Sequence, residues 1–270
     1  MVDSKAQHDA WRAGDSYDAY MGRWSRRIAS RFIDWLAPSD GLEWLELGCG
    51  TGALTHEIVA RSKPLSVLAL EPSEGFVAVA RRNVVDAGVT FQIGDATALP
   101  EVQTDSADVA ISGLVLNFVP DKPAALRELR RIVRRGGKVA FYVWDYPGGG
   151  LEFLDIFWQE AISLDRAAAG IAEDRRFDFC TLEAMSALAS GAGLNDVRAT
   201  ALEAETTFQD FDDFWRPFTL GAGPAPGYFA SLDVIDQERL RDALQRRLPL
   251  RTDGSIQLGA RAWAIGGTAG

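Results

Sequence analysis

A chain of 270 residues is long enough to bury a sizeable core, either as one large domain or as one domain with a cap. The net charge of −10 argues against nucleic acid and anionic membranes as partners. With two cysteines and two histidines, we expect no disulfide framework, no metal site and a cytoplasmic location. The polar start of the chain predicts no signal peptide, and no apolar run is long enough to predict a membrane helix.

The first half of the chain alternates predicted helices with predicted strands. Tyr20, Trp24, Ile28 and Phe32 recur at four-residue spacing and indicate the first helix. The alternation that follows predicts a parallel sheet with right-handed crossovers. The predicted elements are, in order, helix 17–36, strand 42–47, helix 53–60, strand 65–70, helix 73–88, strand 89–93, strand 108–116, helix 121–137 and strand 138–144.

The second half of the chain has a different pattern. It contains, in order, a helix over 151–165, a helix over 181–192, a strand over 195–202, an aromatic cluster over 208–218, a Gly/Pro loop over 221–227, a helix over 231–248 and a strand over 255–265. Segments 151–192 and 203–250 have net charges of −5 and −4, and we interpret this charge first as the solvated outer surface of a cap. The second, weaker interpretation is that the acidic cap does not attract a polyanionic substrate. We therefore divide the chain into an N-terminal helical segment (1–40), a core (41–150), a helical cap with a core helix (151–192), and the last two strands with an insertion at 208–249 (193–270).

The stretch from Leu45 to Gly52 joins a strand to a helix through three glycines at alternate positions. Glycine permits positive φ and lets a ligand approach the backbone, and the following helix directs free N–H groups at the turn. The next strand ends in Glu71, a carboxylate suited to ribose hydroxyls. These features predict a nucleotide-like cofactor. Gly48, Gly50 and Ala53 also satisfy the G-x-G-x-x-G/A dinucleotide pattern, so an NAD(P)-dependent oxidoreductase stays open at this point.

Three further features narrow the choice of cofactor. Glu46 precedes a turn with the tighter G-x-G-x-G spacing, the third strand ends in Gly94-Asp95-Ala96, and the chain closes with two strands separated by a long insertion. This combination resembles the class I S-adenosylmethionine-dependent methyltransferases, in particular the small-molecule group that includes the ubiquinone/menaquinone-biosynthesis-like enzymes. The resemblance is strong over residues 17–145. For the rest of the chain it is limited to the order of predicted strands and helices. It implies an α/β fold: a Rossmann-like, seven-stranded, mostly parallel sheet with an antiparallel last strand, helices on both faces and helical cap insertions.

The resemblance also implies roles for the residues at the carboxyl ends of the strands. Glu46 would support the glycine turn and the methionine amino group, although it suits a local backbone cap equally well. Glu71 would take both ribose hydroxyls, and Asp95 would accept from the adenine amine. Arg23, in a segment that closes over the cofactor in many relatives, would pair with the cofactor's carboxylate. The predicted cofactor-binding set is Arg23, Glu46, Gly48, Cys49, Gly50, Gly52, Glu71, Pro72, Ser73, Asp95, Ala96, Leu116, Asn117 and Phe118, the last three beneath the sulfonium and its methyl group.

The predicted function is methyl transfer from S-adenosylmethionine to oxygen, nitrogen or carbon of a small molecule by in-line displacement. The cofactor brings its own leaving group, so no catalytic side chain is assigned. After the fourth strand the sequence is Asn117-Phe118-Val119-Pro120, and it lacks the Asp/Asn-Pro-Pro-Tyr motif. This absence disfavours the methyltransferases that act on DNA bases or planar amides. The turn lacks a basic residue for a pyrophosphate, which disfavours the oxidoreductase. A non-catalytic cofactor-binding relative remains an alternative, and we expect a monomer or homodimer.

Overall fold

The computed structural model describes residues 18, 20–96, 98–220 and 223–270, so the polar N-terminus and the start of the predicted Gly/Pro loop lie outside the described residues. The helices are α1 (Gly22–Leu36), α2 (Ala53–Ser62), α3 (Glu74–Asn83), α4 (Lys122–Ile132), α5 (Glu152–Leu164), α6 (Glu173–Arg176), α7 (Leu182–Gly191), α8 (Phe211–Trp215), α9 (Pro224–Ser231) and α10 (Val234–Arg247), with 3₁₀ turns at Arg166–Gly170 and Arg216–Leu220. The strands are β1 (Glu43–Leu47), β2 (Ser66–Glu71), β3 (Val89–Ile93), β4 (Ala107–Gly113), β5 (Val133–Trp144), β6 (Leu194–Phe208) and β7 (Ile256–Ala269).

The chain divides into two compact units. The first, which we call the sheet unit, consists of Ser25–Trp144, Phe179–Leu202 and Ala262–Gly270. The second, which we call the aromatic unit, consists of the chain up to Trp24 together with Asp145–Asp178 and Glu203–Arg261.

The seven strands form one sheet in the order β3-β2-β1-β4-β5-β7-β6. The pairs β1 with β2, β1 with β4, β2 with β3 and β4 with β5 are parallel, and β7 is antiparallel to β5. This arrangement confirms the predicted fold class, including the antiparallel last strand. Since β1 and β4 lie at the centre of the sheet, their apolar residues are almost continuously buried, as expected when helices cover both faces.

Three predicted helix caps are confirmed by hydrogen bonds to the first turn. The Ser73 hydroxyl accepts from the Phe76 N–H at 3.4 Å, and the Asp121 carboxylate accepts from the Ala124 N–H at 2.9 Å. The Thr181 hydroxyl starts α7 in the same way. Each cap satisfies a backbone donor that a helix start leaves unpaired, and so sets where the helix begins.

The helix predicted to reach residue 88 is wrong at its end: it stops at Asn83, since Val84 adopts an extended backbone conformation.

Two further predicted boundaries in the sheet unit are wrong. The sequence predicts that the fourth strand reaches residue 116, but the strand ends at Gly113 because Leu114 adopts a φ of +62°, which a strand does not allow. The sequence predicts that the fourth helix reaches residue 137, but the helix ends at Ile132 and the chain continues directly into β5. Arg134 pairs with Asp108, which places these residues beside β4 in place of another helical turn.

The second half also differs from its prediction in detail. A helix begins at Pro224, inside the predicted Gly/Pro loop, because proline fits the first turn of a helix where no N–H is needed. The last helix begins at Val234, three residues later than predicted, after the Asp233 cap. The sixth strand extends beyond the predicted residue 202 because its alternation of buried and exposed residues continues to Phe208. The seventh strand extends beyond the predicted residue 265 to Ala269, and its residues 266–268 pair with β5. No helix among the described residues is long and apolar enough to cross a membrane.

Aromatic rings form the core of the aromatic unit. Trp24 stacks on Phe153 with ring centroids 4.1 Å apart, and Phe157 stacks on Phe218 at 4.5 Å. A buried carboxylate, Glu173, accepts from the Trp158 indole N–H inside this core. Burial raises the pKa of Glu173 to about 7.

Candidate cofactor site

The turn between β1 and α2 depends on three glycines in left-handed conformations. The φ angles of Gly48, Gly50 and Gly52 are +74°, +53° and +87°. The turn is tied to the next strand, since the N–H groups of Gly48 and Cys49 both donate to the Leu70 carbonyl, at 2.7 and 3.0 Å. A side chain at any of the three positions would strain the backbone, which explains the alternate glycines of the sequence.

The three glycines differ in what surrounds them. A Cβ added to Gly48 would lie 2.4 Å from Val115 Cγ2, and one added to Gly52 would lie 3.1 Å from Val84 Cγ2. Nothing lies within 4 Å of a Cβ placed on Gly50. Gly48 and Gly52 therefore allow close packing within the protein, whereas Gly50 exposes its backbone to open space beside the turn.

Glu71 connects the glycine turn to the end of β2. Its carboxylate accepts from the Gly50 N–H and from the Ser73 N–H, each at 3.1 Å. Burial raises its pKa, and these two N–H donors oppose that rise. The side chain is thus held in a fixed orientation, while each oxygen keeps a further lone pair for another donor.

Glu46 lies fully buried on β1, directly before the turn. Its carboxylate accepts from the Thr55 hydroxyl at 2.6 Å, a contact with a side chain of α2. Burial raises the pKa of Glu46 to about 7, and the charge of Glu71 adds to the rise. A cation in this region would favour the ionised form of both carboxylates.

Asp95 and Ala96 follow β3 at the same edge of the sheet. The Gly94 N–H donates to the Glu71 carbonyl at 3.3 Å, which ties the end of β3 to the end of β2. The Asp95 side chain is exposed, and its backbone forms an isolated bridge with Ala98. The carboxylate is thus accessible at the position where the sequence predicts an adenine contact.

A short turn after β4 contains the remaining predicted residues of the sheet unit. The Phe118 N–H donates to the Val115 carbonyl at 2.8 Å, which places Leu116 and Asn117 at the centre of the turn. Leu116 is buried, whereas 40% of Phe118 is exposed. The Asn117 side chain is 5% exposed, and neither its Oδ1 nor its Nδ2 has a hydrogen-bond partner among the described residues.

The sequence does not predict how the turn after β4 packs against the glycine turn. Leu114 carries the positive φ, and Val115 packs against Gly48. Non-glycine residues in this conformation are uncommon and cluster at functional sites. The apolar run around Leu114 resembles a continued strand, so no local pattern indicates the break.

Arg23 lies in the aromatic unit and has protein partners there. Its guanidinium donates to the Asp213 carboxylate at 2.7 Å and to the Thr207 carbonyl at 3.2 Å, and lies 4.4 Å from the centre of the Phe208 ring. The predicted pairing of Arg23 with the cofactor's carboxylate stays a prediction.

Cys49 and His56 lie near the turn in different environments. The Cys49 thiol is buried, and burial raises its pKa, with the nearby Glu46 and Glu71 adding to the rise, so it stays a neutral thiol. His56 is exposed on α2 beside Glu57. The described residues contain no group of three or more His, Cys, Asp or Glu side chains that could hold a metal ion.

Residues 45–141 match a family model described as a methyltransferase domain. The matched range begins in β1 and includes every predicted site residue of the sheet unit. A methyltransferase domain therefore accounts for residues 45–141 of the chain. This match confirms the resemblance to the S-adenosylmethionine-dependent methyltransferases and the cofactor predicted from the sequence, and it disfavours the oxidoreductase alternative. The ubiquinone/menaquinone-like subgroup stays a prediction.

The curated relatives of this chain differ in the acceptors that their names state. The chain is 33% identical over 149 residues to a malonyl-[acyl-carrier protein] O-methyltransferase of Serratia marcescens, covering 55% of each protein. It is 27% identical over 150 residues to the human thiol S-methyltransferase TMT1A, covering 54% of this chain and 59% of that protein. The chain thus spans a little over half the length of these curated relatives.

A solved structure of similar fold is phosphoethanolamine N-methyltransferase 2 of Haemonchus contortus in complex with S-adenosyl-L-methionine. The TM-score is 0.58 at 17% identity, and the match covers 99% of this chain and 60% of that one. At this identity the likeness shows the shared fold.

The hydrogen-bond acceptors at these strand ends fit a cationic cofactor. Glu46, Glu71 and Asp95 lie at or just after three strand ends, and residues 48–52, 72–73, 94–96 and 114–121 contain no lysine or arginine. Such a site suits a sulfonium and an ammonium better than a pyrophosphate. The open space beside Gly50 and the unpaired amide of Asn117 fit a ligand at the same edge.

Proposed function

We propose that this protein transfers a methyl group from S-adenosylmethionine to a nucleophilic atom of a small molecule. The observation that carries the proposal is the glycine turn with Glu71 bonded across it, because this arrangement presents one open glycine backbone and one fixed carboxylate at the same strand edge. The matched methyltransferase domain contains both features.

The residues of the sheet unit are proposed to hold the cofactor by complementary contacts. Glu71 accepts from the two ribose hydroxyls, and Asp95 accepts from the adenine amine, with the Ala96 N–H on a ring nitrogen. Cys49, Pro72 and Ser73 form the walls beside these contacts, and Leu116 and Phe118 exclude water near the reacting methyl group. The predicted oligomeric state, monomer or homodimer, is part of the proposal.

When bound, S-adenosylmethionine supplies an electrophilic methyl group and a thioether leaving group. The chain's contribution is then alignment and desolvation, which need no catalytic acid or base unless the acceptor must first lose a proton. Glu46 and Glu71 balance the positive charge of the cofactor, and the aromatic ring of Phe118 offers a face that attracts cations.

The acceptor is proposed to be a small molecule without a strong negative charge. Segments 145–178 and 203–261 of the aromatic unit contain 18 acidic and 10 basic residues, a net charge of −8. An acidic surface disfavours the approach of anionic substrates. The names of the relatives include oxygen, sulfur and nitrogen acceptors, so they do not narrow the acceptor atom.

The proposal is tested with S-adenosylmethionine labelled in its methyl group. The intact chain is incubated with a panel of small amines, thiols, phenols and enolisable carbon acids, and labelled products are separated from the cofactor. We expect transfer to at least one class, with loss of transfer in Glu71→Ala. Tight cofactor binding without transfer to any class would favour the non-catalytic alternative.

A further inference from the structure

The strand ends of the sheet unit offer acids but no bases to a bound cofactor. Glu46 and Glu71 lie in β1 and β2, Asp95 follows β3, and the segments after β1 to β4 contain no lysine or arginine up to Asp121. The amino-acid end of S-adenosylmethionine carries an ammonium and a carboxylate. Nearby acids suit the ammonium, whereas the carboxylate needs a hydrogen-bond donor, and a neutral side chain is what this edge can provide.

The base that the sequence suggests for this carboxylate is already paired. Arg23 lies against Asp213 at 2.7 Å, with Phe208 beneath its guanidinium. To bind a second carboxylate, Arg23 would have to give up or share a bidentate ion pair, which is among the stronger side-chain contacts. Because Arg23 is already paired, we look for a neutral hydrogen-bond donor to the cofactor's carboxylate within the sheet unit.

Asn117 has the properties that the amino-acid end requires. Its carboxamide is 95% buried, since only 5% of the residue is exposed, and neither polar atom has a partner among the described residues. Nearly all buried amides in native proteins are hydrogen-bonded, so an amide of this kind indicates a ligand with both a donor and an acceptor. A zwitterionic amino-acid group has both.

The turn that carries Asn117 is held against the glycine turn. Val115 occupies the space that a Cβ on Gly48 would fill, at 2.4 Å, and the Phe118 N–H closes the turn onto the Val115 carbonyl. The Leu114 N–H donates to the Tyr142 carbonyl at 2.8 Å, which anchors the start of the turn to β5. Asn117 is therefore fixed at the same strand edge as the predicted methionine-binding glycines.

We propose that the Asn117 carboxamide binds the amino-acid end of S-adenosylmethionine, donating from Nδ2 to the carboxylate and accepting at Oδ1 from the ammonium. The inference rests on the proposed function, because it requires the cofactor at this edge. It assigns the carboxylate to a neutral donor in place of a charged one.

Titration calorimetry with two probes tests the assignment. S-adenosylhomocysteine has the amino-acid end, whereas 5′-methylthioadenosine has the same adenosine and thioether without it. Asn117→Leu keeps a similar volume and removes both polar atoms. We expect it to raise the Kd for S-adenosylhomocysteine about tenfold, or about 1.4 kcal/mol, and the Kd for 5′-methylthioadenosine less than twofold.

Two further variants make the test independent of folding. Asn117→Asp retains one acceptor but adds a negative charge, so it should weaken S-adenosylhomocysteine more than Asn117→Leu does and again spare 5′-methylthioadenosine. Ser112→Ala removes a buried hydroxyl of β4 that donates to the Leu47 carbonyl, and it should leave the ratio of the two affinities unchanged. The melting temperature of Asn117→Leu without ligand should match or exceed that of the wild type, since replacing an unpaired buried amide relieves its desolvation.

Two outcomes would overturn the assignment. If Asn117→Leu lost equal affinity for both probes, the amide would contact the adenosine half of the cofactor or only support the fold of the turn. If the affinity for both probes were unchanged, the Asn117 carboxamide would bind the methyl acceptor or another group instead of the cofactor. A wild-type chain that binds neither probe would instead overturn the proposed function, which separates the two failures.

Discussion

The sheet unit and the aromatic unit are built on different principles. The sheet unit contains 16 acidic and 15 basic residues, and its candidate site is made of glycine backbone and a few carboxylates. Segments 145–178 and 203–261 of the aromatic unit have a net charge of −8, and stacked rings form the core. The family match, residues 45–141, lies entirely in the sheet unit. The features shared with the family model therefore lie in the sheet unit, and the aromatic unit lies outside the matched range.

The largest expected effect is a loss of stability that leaves cofactor binding nearly unchanged. Phe157 is fully buried in the aromatic unit and stacks on Phe218. Phe157→Ala should lower the free energy of unfolding by about 3–5 kcal/mol, because it removes a large buried ring and leaves a cavity. Chemical denaturation measures this loss, while the Kd for S-adenosylhomocysteine at low temperature should change less than twofold.

Phe118→Ala is the matched control in the sheet unit, because this ring is 40% exposed. Its free energy of unfolding should change by less than about 1 kcal/mol. A tenfold loss of cofactor affinity in folded Phe157→Ala would contradict the claim that the sheet unit alone determines cofactor binding.

The second prediction compares two glycines of the same turn. Gly48→Ala should destabilise the protein by roughly 2–4 kcal/mol, because it adds a clash with Val115 to an unfavourable φ. Gly50→Ala has a positive φ but no neighbour within 4 Å, so it should lose only about 1 kcal/mol.

Gly50→Ala should nevertheless weaken cofactor binding, since its methyl group enters the space beside the turn. Thermal unfolding and calorimetry on both variants measure the two effects. Equal stability losses would show that the packing of Val115 on Gly48 has no energetic weight.

The third prediction concerns the carboxylate that crosses the turn. Glu71→Ala removes the acceptor of the Gly50 and Ser73 N–H groups and the proposed acceptor of the ribose hydroxyls. We expect cofactor affinity to fall by about 1.5–3 kcal/mol, the usual range for hydrogen bonds to a charged group. Calorimetry with S-adenosylhomocysteine measures it.

Glu74→Ala, three residues further on and exposed in the first turn of α3, is the control and should bind normally. Normal binding by Glu71→Ala as well would move the ribose contact to another residue.

The smallest expected effect is a pH dependence due to Glu46. Its pKa is raised from 4.5 to about 7, so the folded chain binds more protons than the unfolded chain between these values, and this residue's contribution to stability falls as pH rises through that window. The sulfonium favours the ionised form, so S-adenosylmethionine should gain affinity relative to the uncharged thioether of S-adenosylhomocysteine between pH 6 and pH 8.

We expect the affinity ratio to change roughly threefold, or about 0.6 kcal/mol. Glu46→Gln should abolish this change, because an amide does not titrate in this range. A ratio that is independent of pH in the wild type would show that Glu46 does not respond to the cofactor's charge.

Much of the sheet unit could be predicted because its signals are local. The glycine spacing at 48–52 requires positive φ, and the caps at Ser73 and Asp121 act within a single helical turn. Local signals of this kind remain visible in one sequence. They were sufficient for the strand alternation and for the edge at which the predicted site residues gather.

The features that could not be predicted depend on residues distant in the chain. The fourth helix ends early where Arg134 pairs with Asp108, 26 positions away. The break at Leu114 accompanies the packing of Val115 on Gly48, and the partner of Arg23 is Asp213, 190 positions away. Tertiary contacts of this kind override local propensity, and no pattern in a single sequence records them.

The central claim is that the sheet unit binds S-adenosylmethionine through the glycine turn and its carboxylates. Titration calorimetry of the intact chain with S-adenosylmethionine, S-adenosylhomocysteine and NADH tests it most directly. The account predicts one-to-one binding of both adenosyl compounds and no heat of binding with NADH. Binding of NADH without binding of either adenosyl compound would contradict it.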